Sequence, residues 1–182
     1  MRPLFTVHVG ELLFGQYIER KFRNKNVWVP AKDTGVDLLV TNAKNTKTVS
    51  FQVKFSRDFL PIMQVTPIMR RGLRACSWFT LNRRKIIRST ADYWIFVLMG
   101  FDEHSVDFAI VRPAELIKRL DRLERSRKGP LQVYLWVTTR GRCWLTRGLK
   151  RPEQDQIAQE TYGNKDRDFT RYLEDRSMLK SL

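Results

Sequence analysis

The feature that most constrains this chain is the run Val49-Ser50-Phe51-Gln52-Val53-Lys54-Phe55, in which apolar and polar residues alternate without a fault. Successive side chains on a strand point to opposite faces, so Val49, Phe51, Val53 and Phe55 share one face and Ser50, Gln52 and Lys54 the other. A helix would scatter both sets around its circumference. The run therefore demands a sheet whose apolar face is covered by another element, and it fixes Gln52 and Lys54 two residues apart on the polar face.

From Val9 to about Arg23 apolar residues recur at intervals of three and four, which predicts a first helix. Val27 to Val29 reads as a brief strand closed by Pro30, and Val36 to Val40 as a second strand entered through Thr34-Gly35. Beyond the central run the pattern gives a helix near Ile68 to Ala75, a short strand at Trp78 to Leu81 and a helical turn around Lys85 to Ser89. Tyr93 to Met99 is continuously apolar over strand length, as a strand buried on both faces requires, with Asp107 to Val111 as its neighbour. Pro113 opens a helix, Ala114 to Leu123, and Leu131 to Val137 is a further strand after Gly129-Pro130. This order describes an α/β fold, a mixed central sheet flanked by helices. At 182 residues one domain is expected: an α/β body over 1–152 and a polar helical extension of it over 153–182.

Charge narrows the partners. Lys and Arg number 34 against 19 Asp and Glu, a formal charge of +15, which points to a polyanion. No apolar run reaches bilayer length, and no secretion signal is visible in Met1 to Val9, so a cytoplasmic protein without a membrane partner is expected. Cys76 and Cys143 lie beside large apolar residues, as reduced, part-buried thiols do, although the sequence leaves a disulfide open. Neither His8 nor His104 has a partner at zinc-binding spacing.

Asp37, at the start of one strand, and Gln52 and Lys54, on the next, form a compact site for a cation and a water if a hairpin joins the two strands. Asp37 would bind a hard cation such as magnesium, with the Gln52 side-chain oxygen and the Val53 carbonyl completing the inner shell. Lys54 would orient the attacking water and offset charge growing on a phosphate.

At these residues the chain resembles the PD-(D/E)xK nuclease superfamily, in its Gln-x-Lys variant. The resemblance rests on a leading helix, Gly35-Val36-Asp37-Leu38-Leu39-Val40 and then Phe51-Gln52-Val53-Lys54-Phe55-Ser56, roughly the first third of the chain. It implies a restriction-endonuclease-like mixed sheet and magnesium-dependent hydrolysis of phosphodiester bonds in double-stranded DNA, with manganese as a substitute ion. It also implies a restriction or defence role and a homodimer if both strands are cut. Two positions depart from the family pattern: Gln52 stands where an acid is usual, and Gln16 where many members carry a helix glutamate. Glu19, one turn on, is the metal-site replacement read from the helical period, with Glu11 a further candidate. The alternative reading keeps the fold and the basic surface as a catalytically inactive DNA-binding protein.

The positive charge is clustered. From Lys54 to Arg88 nine basic residues face Asp58 alone, and from Arg112 to Pro152 twelve face three. Arg57, Arg70, Arg71, Arg74, Arg83 and Arg84 are the expected DNA contacts, since the guanidinium fork suits phosphate oxygens. Trp78 and Trp144 are candidates for base stacking, or else core residues.

Overall fold

In chain order, helix α1 (Val9–Lys21) leads into strands β1 (Lys25–Trp28), β2 (Leu38–Asn42) and β3 (Thr48–Ser56). Helix α2 (Pro67–Gly72) runs directly into β4 (Leu73–Leu81), followed by α3 (Arg83–Ile87), β5 (Tyr93–Met99) and β6 (Val106–Val111). Helix α4 (Pro113–Leu123), β7 (Leu131–Thr138), β8 (Cys143–Leu145), α5 (Arg151–Ala158) and α6 (Ser177–Lys180) complete the chain. The computed structural model describes residues 8–32, 34–56, 65–123 and 129–182; Arg57 lies outside them.

The strands form two sheets. The larger is mixed and ordered β1-β2-β3-β5-β6, and the smaller is antiparallel and ordered β4-β7-β8. Strands β1, β2 and β3 form an antiparallel meander, β3 and β5 are parallel, and β5 and β6 are antiparallel. The parallel step forces a long crossover, and the chain uses it to build α2, β4 and α3. An α/β fold with a mixed sheet was expected and is found. The division of the strands is a difference: β4, β7 and β8 do not extend the first sheet but pack over part of it.

Three cores follow from this layering. Phe14 and Ile18 of α1 pack on Phe51, Leu38, Val40, Ile95 and Phe108, so the apolar face of the Val49–Phe55 run is covered by the first helix. Phe14 meets Phe51 and Phe108 edge-on at 5.3 and 5.2 Å between ring centroids. On the opposite face of the large sheet, Trp94, Phe96 and Leu98 pack against Phe79, Leu81, Val133 and Leu135 of the small sheet. Tyr93–Met99 is buried on both sides, which accounts for its unbroken apolar character. The third core lies on the outer face of the small sheet, where Met69, Trp136, Trp144 and Ile157 meet.

The C-terminal segment is part of this body. Phe169 and Tyr172 belong to the core between the sheets, and Met178 and Leu179 to the core under α1. Isolated bridges join Ala109 to Leu173 and Trp144 to Asp168, so the segment is stitched to both sheets. Cys76 and Cys143 are free and buried, and burial pushes the Cys143 thiol far above its ordinary range. Among the described residues no helix is long and apolar enough to cross a membrane.

Candidate active site

Gly35 has φ 84°, in the left-handed region that glycine adopts without steric cost, and it turns the chain into β2. Asp37 follows, one residue ahead of the strand, and its N–H donates to the Phe51 carbonyl at 2.8 Å. The antiparallel register pairs Leu38 with Phe51, so Asp37 faces the segment Gln52-Val53-Lys54. Its Oδ2 accepts the Val53 N–H at 2.8 Å, and the side chain is only 8% exposed. The hairpin thus brings together Asp37, Gln52, Val53 and Lys54. A strand residue turns its N–H and its C=O to the same edge, so the Val53 carbonyl is aimed past the end of β2 on Asp37's side.

Gln52 and Lys54 point to the face of the sheet shared with Trp94 and Phe96. Over β5 that face is covered by the small sheet; at β3 it borders a cleft of about 940 Å³. The Lys54 ammonium stands 5.3 Å from the centroid of the Trp94 ring, a cation–π contact that holds it at the cleft wall. Trp94 is fixed in turn by its Nε1–H donating to Ser89 Oγ at 2.9 Å.

The N-terminus of α1 forms a second wall. At Gly10 a Cβ would stand 2.7 Å from Phe55 Cβ and 3.2 Å from Val53 Cγ1, so the missing side chain is what lets the helix start lie against β3. Glu11, 2% exposed, comes next and lines the cleft, with Oε2 accepting the His8 N–H at 3.4 Å. Glu19 and Gln16 are exposed further along α1 and do not line it. The helix carboxylate that the structure brings to Asp37's cleft is therefore Glu11. The reason is geometric: the first turn of α1, rather than its middle, abuts the open end of β3.

The third wall is α3. Arg84, Lys85 and Arg88 line the cleft and are exposed, while Ile86 anchors the helix in the core between the sheets. Asn82 Oδ1 accepts the Lys85 N–H at 3.2 Å, capping the helix. Charged residues of the cleft are thus Asp37 and Glu11 against Lys54, Arg84, Lys85 and Arg88, a surplus of two positive charges. Arg84, Lys85 and Arg88 stand on the α3 wall, whereas Lys54 stands with Asp37 on the sheet wall.

The other expected contacts fall elsewhere. Arg74 is bound bidentately to Asp107, Nε to Oδ2 at 2.9 Å and Nη2 to Oδ1 at 2.5 Å, and Arg83 is bound to Asp121 of α4. Both guanidiniums are tied to carboxylates of the fold, and neither lines the cleft. Arg70 and Arg71 are exposed at the end of α2, which packs on α5 and β4, and neither lines the cleft. Trp144 is fully buried against Tyr162, so it is core, whereas Trp78 is about one-third exposed beside Tyr134. Lys85 and Arg88 also line the cleft; they belong to the basic cluster read from the sequence but were not among the six expected contacts. Among the described residues no three His, Cys, Asp or Glu side chains cluster as a metal-binding group. In comparisons with known proteins, no family model, no curated protein and no solved structure matches this chain.

Proposed function

We propose that the protein is a magnesium-dependent endonuclease that hydrolyses phosphodiester bonds in double-stranded DNA, with the Asp37–Lys54 cleft as its active site. The observation that carries the reading is the Asp37 carboxylate hydrogen-bonded into the Gln52-Val53-Lys54 segment, in a cleft whose facing wall is Arg84, Lys85 and Arg88. The donors available there are oxygens: the Asp37 carboxylate, the Gln52 side-chain oxygen and the Val53 carbonyl, which together would hold the ion. That donor set fits magnesium, which is commonly bound through one or two carboxylates with water filling the remaining positions. When bound, the ion supplies Lewis-acid polarisation of the phosphate and lowers the pKa of a water.

The chain's own residues do the rest. Arg84, Lys85 and Arg88 hold the phosphate backbone against α3, so the scissile group is presented to the Asp37 end. Lys54, steadied on Trp94, orients the attacking water and stabilises charge that grows on the phosphate oxygens. Glu11 adds a second carboxylate to the cleft. One such site cuts one strand, so double-strand cleavage requires two copies of the chain. Restriction or defence is the role this chemistry suits.

The test is nicking of supercoiled plasmid in magnesium or manganese. The wild type relaxes the plasmid, and Asp37→Ala and Lys54→Ala each remove at least about a hundredfold of the rate, the order of loss for a single charge-stabilising group. Tight duplex binding with no cutting in either ion refutes the enzyme. That outcome favours the second reading, an inactive DNA-binding protein, which has its own support: Gln52 stands where a second acid would strengthen the ion site, and no three-carboxylate group is found among the described residues.

A further inference from the structure

The α3 helix separates the cleft from a second depression of about 570 Å³, whose far side is Gly129 and Pro130. Arg84 and Arg88 line both spaces. Ile87, 65% exposed and the most exposed of the large apolar side chains described, lies on the side of the second depression. It is not there because the helix is loose. Ile86 is buried, Arg83 is bound to Asp121, and the first turn is capped by Asn82. A held turn that displays an isoleucine between two arginines has the composition of a wedge: cations for the phosphates on either side, and an apolar tip for the base stack.

We propose that Ile87 enters the base stack of the DNA held by α3, so that the enzyme acts on a duplex opened beside the cut. This rests on the nuclease reading above. With phosphates on Arg84 and Arg88, the strand would cross α3 beside the second depression, where Ile87 lies with both arginines and would meet its bases. The depression beyond gives the opened base a place to go: its Gly129-Pro130 side is apolar, and among the described residues nothing lies within 4 Å of where a Cβ on Gly129 would stand.

The experiment uses the full chain with calcium in place of magnesium and a short duplex carrying 2-aminopurine beside the mapped nick; this base brightens when it unstacks. Wild-type binding should raise the fluorescence several-fold. Ile87→Ser, at an exposed position that folding does not need, should leave it at the level of free duplex while affinity changes less than about threefold. In magnesium the same variant should nick intact duplex about tenfold more slowly, yet lose less than about twofold on a duplex with an unpaired base at the cut, where the opening is already made. A full fluorescence rise in Ile87→Ser, or equal slowing on both substrates, overturns the wedge. Wild-type nicking of duplex without any rise overturns the wedge and leaves the nuclease intact. Failure of the wild type both to bind and to nick removes the nuclease reading, and the wedge with it.

Discussion

Removing the charges of α3 separates this account from one based on total charge. The cleft offers three cations on that helix and its C-cap, Arg84, Lys85 and Arg88, all exposed and all lining the same space as Gln52 and Lys54. Each phosphate they neutralise releases counterions and contributes about 0.9 to the slope of log affinity against log salt. The triple alanine variant should therefore lose about 2.7 from that slope. Between about 50 and about 200 mM salt the wild type should weaken roughly fortyfold more than the variant does. Anisotropy titrations of a labelled duplex at several salt concentrations measure both slopes. Arg70→Ala/Arg71→Ala, equal in kind but outside the cleft, should leave the slope near its wild-type value. An unchanged slope in the α3 variant, or a larger change in the α2 variant, refutes the placement of DNA along α3.

Two further predictions concern how the site is held. Gly10→Ala should destabilise by about 1–3 kcal/mol in urea unfolding, because its methyl meets Phe55 Cβ at 2.7 Å, whereas Gly15→Ala should be neutral or stabilising, its nearest neighbour being Val27 Cγ1 at 3.6 Å; a stabilised Gly10→Ala contradicts the close approach of α1 to β3. Arg74→Met should cost about 1–3 kcal/mol, less than a fully buried pair because Arg74 is one-third exposed. Burial raises the Asp107 carboxyl above its ordinary range and Arg74 opposes that rise. A raised carboxylate makes the folded state the better proton binder, so its contribution falls as pH rises through the folded value. The Arg74→Met deficit should therefore be larger at about pH 7 than at about pH 5 in parallel thermal melts, and a deficit that grows on acidification contradicts the assignment.

The parts of the fold legible in the sequence are those whose burial leaves a local period. Val49–Phe55 has one covered face and alternates; Tyr93–Met99 has two and does not; Pro113–Leu123 carries its apolar stripe at helical spacing. Strand β4 was read as a helix to Ala75 and then a short strand. Its pattern is broken by a register shift between Leu73 and Ala75 and by Ser77, which is polar and fully buried. Strand β8 has three residues, too few to show alternation. The separation into two sheets is written in pairings between Leu73–Leu81 and Leu131–Thr138, some fifty residues away, and local periodicity does not encode them. At the site, Asp37, Gln52 and Lys54 were legible because a hairpin register makes them neighbours. Choosing among Glu11, Gln16 and Glu19 required knowing which turn of α1 meets β3, and the one local signal was Gly10, a glycine inside a helix where a close approach gives it a reason. The ion pairs of Arg74 and Arg83 depend on Asp107 and Asp121, each more than thirty residues distant.

The central claim is that Asp37, Gln52 and Val53 converge on one cation beside Lys54. A crystal soaked in manganese and recorded at the metal's absorption edge tests it most directly. The account predicts an anomalous peak roughly 2.0–2.3 Å from an Asp37 carboxylate oxygen, the Gln52 side-chain oxygen and the Val53 carbonyl. A peak bound by other residues, or none in this cleft at saturating manganese, contradicts it.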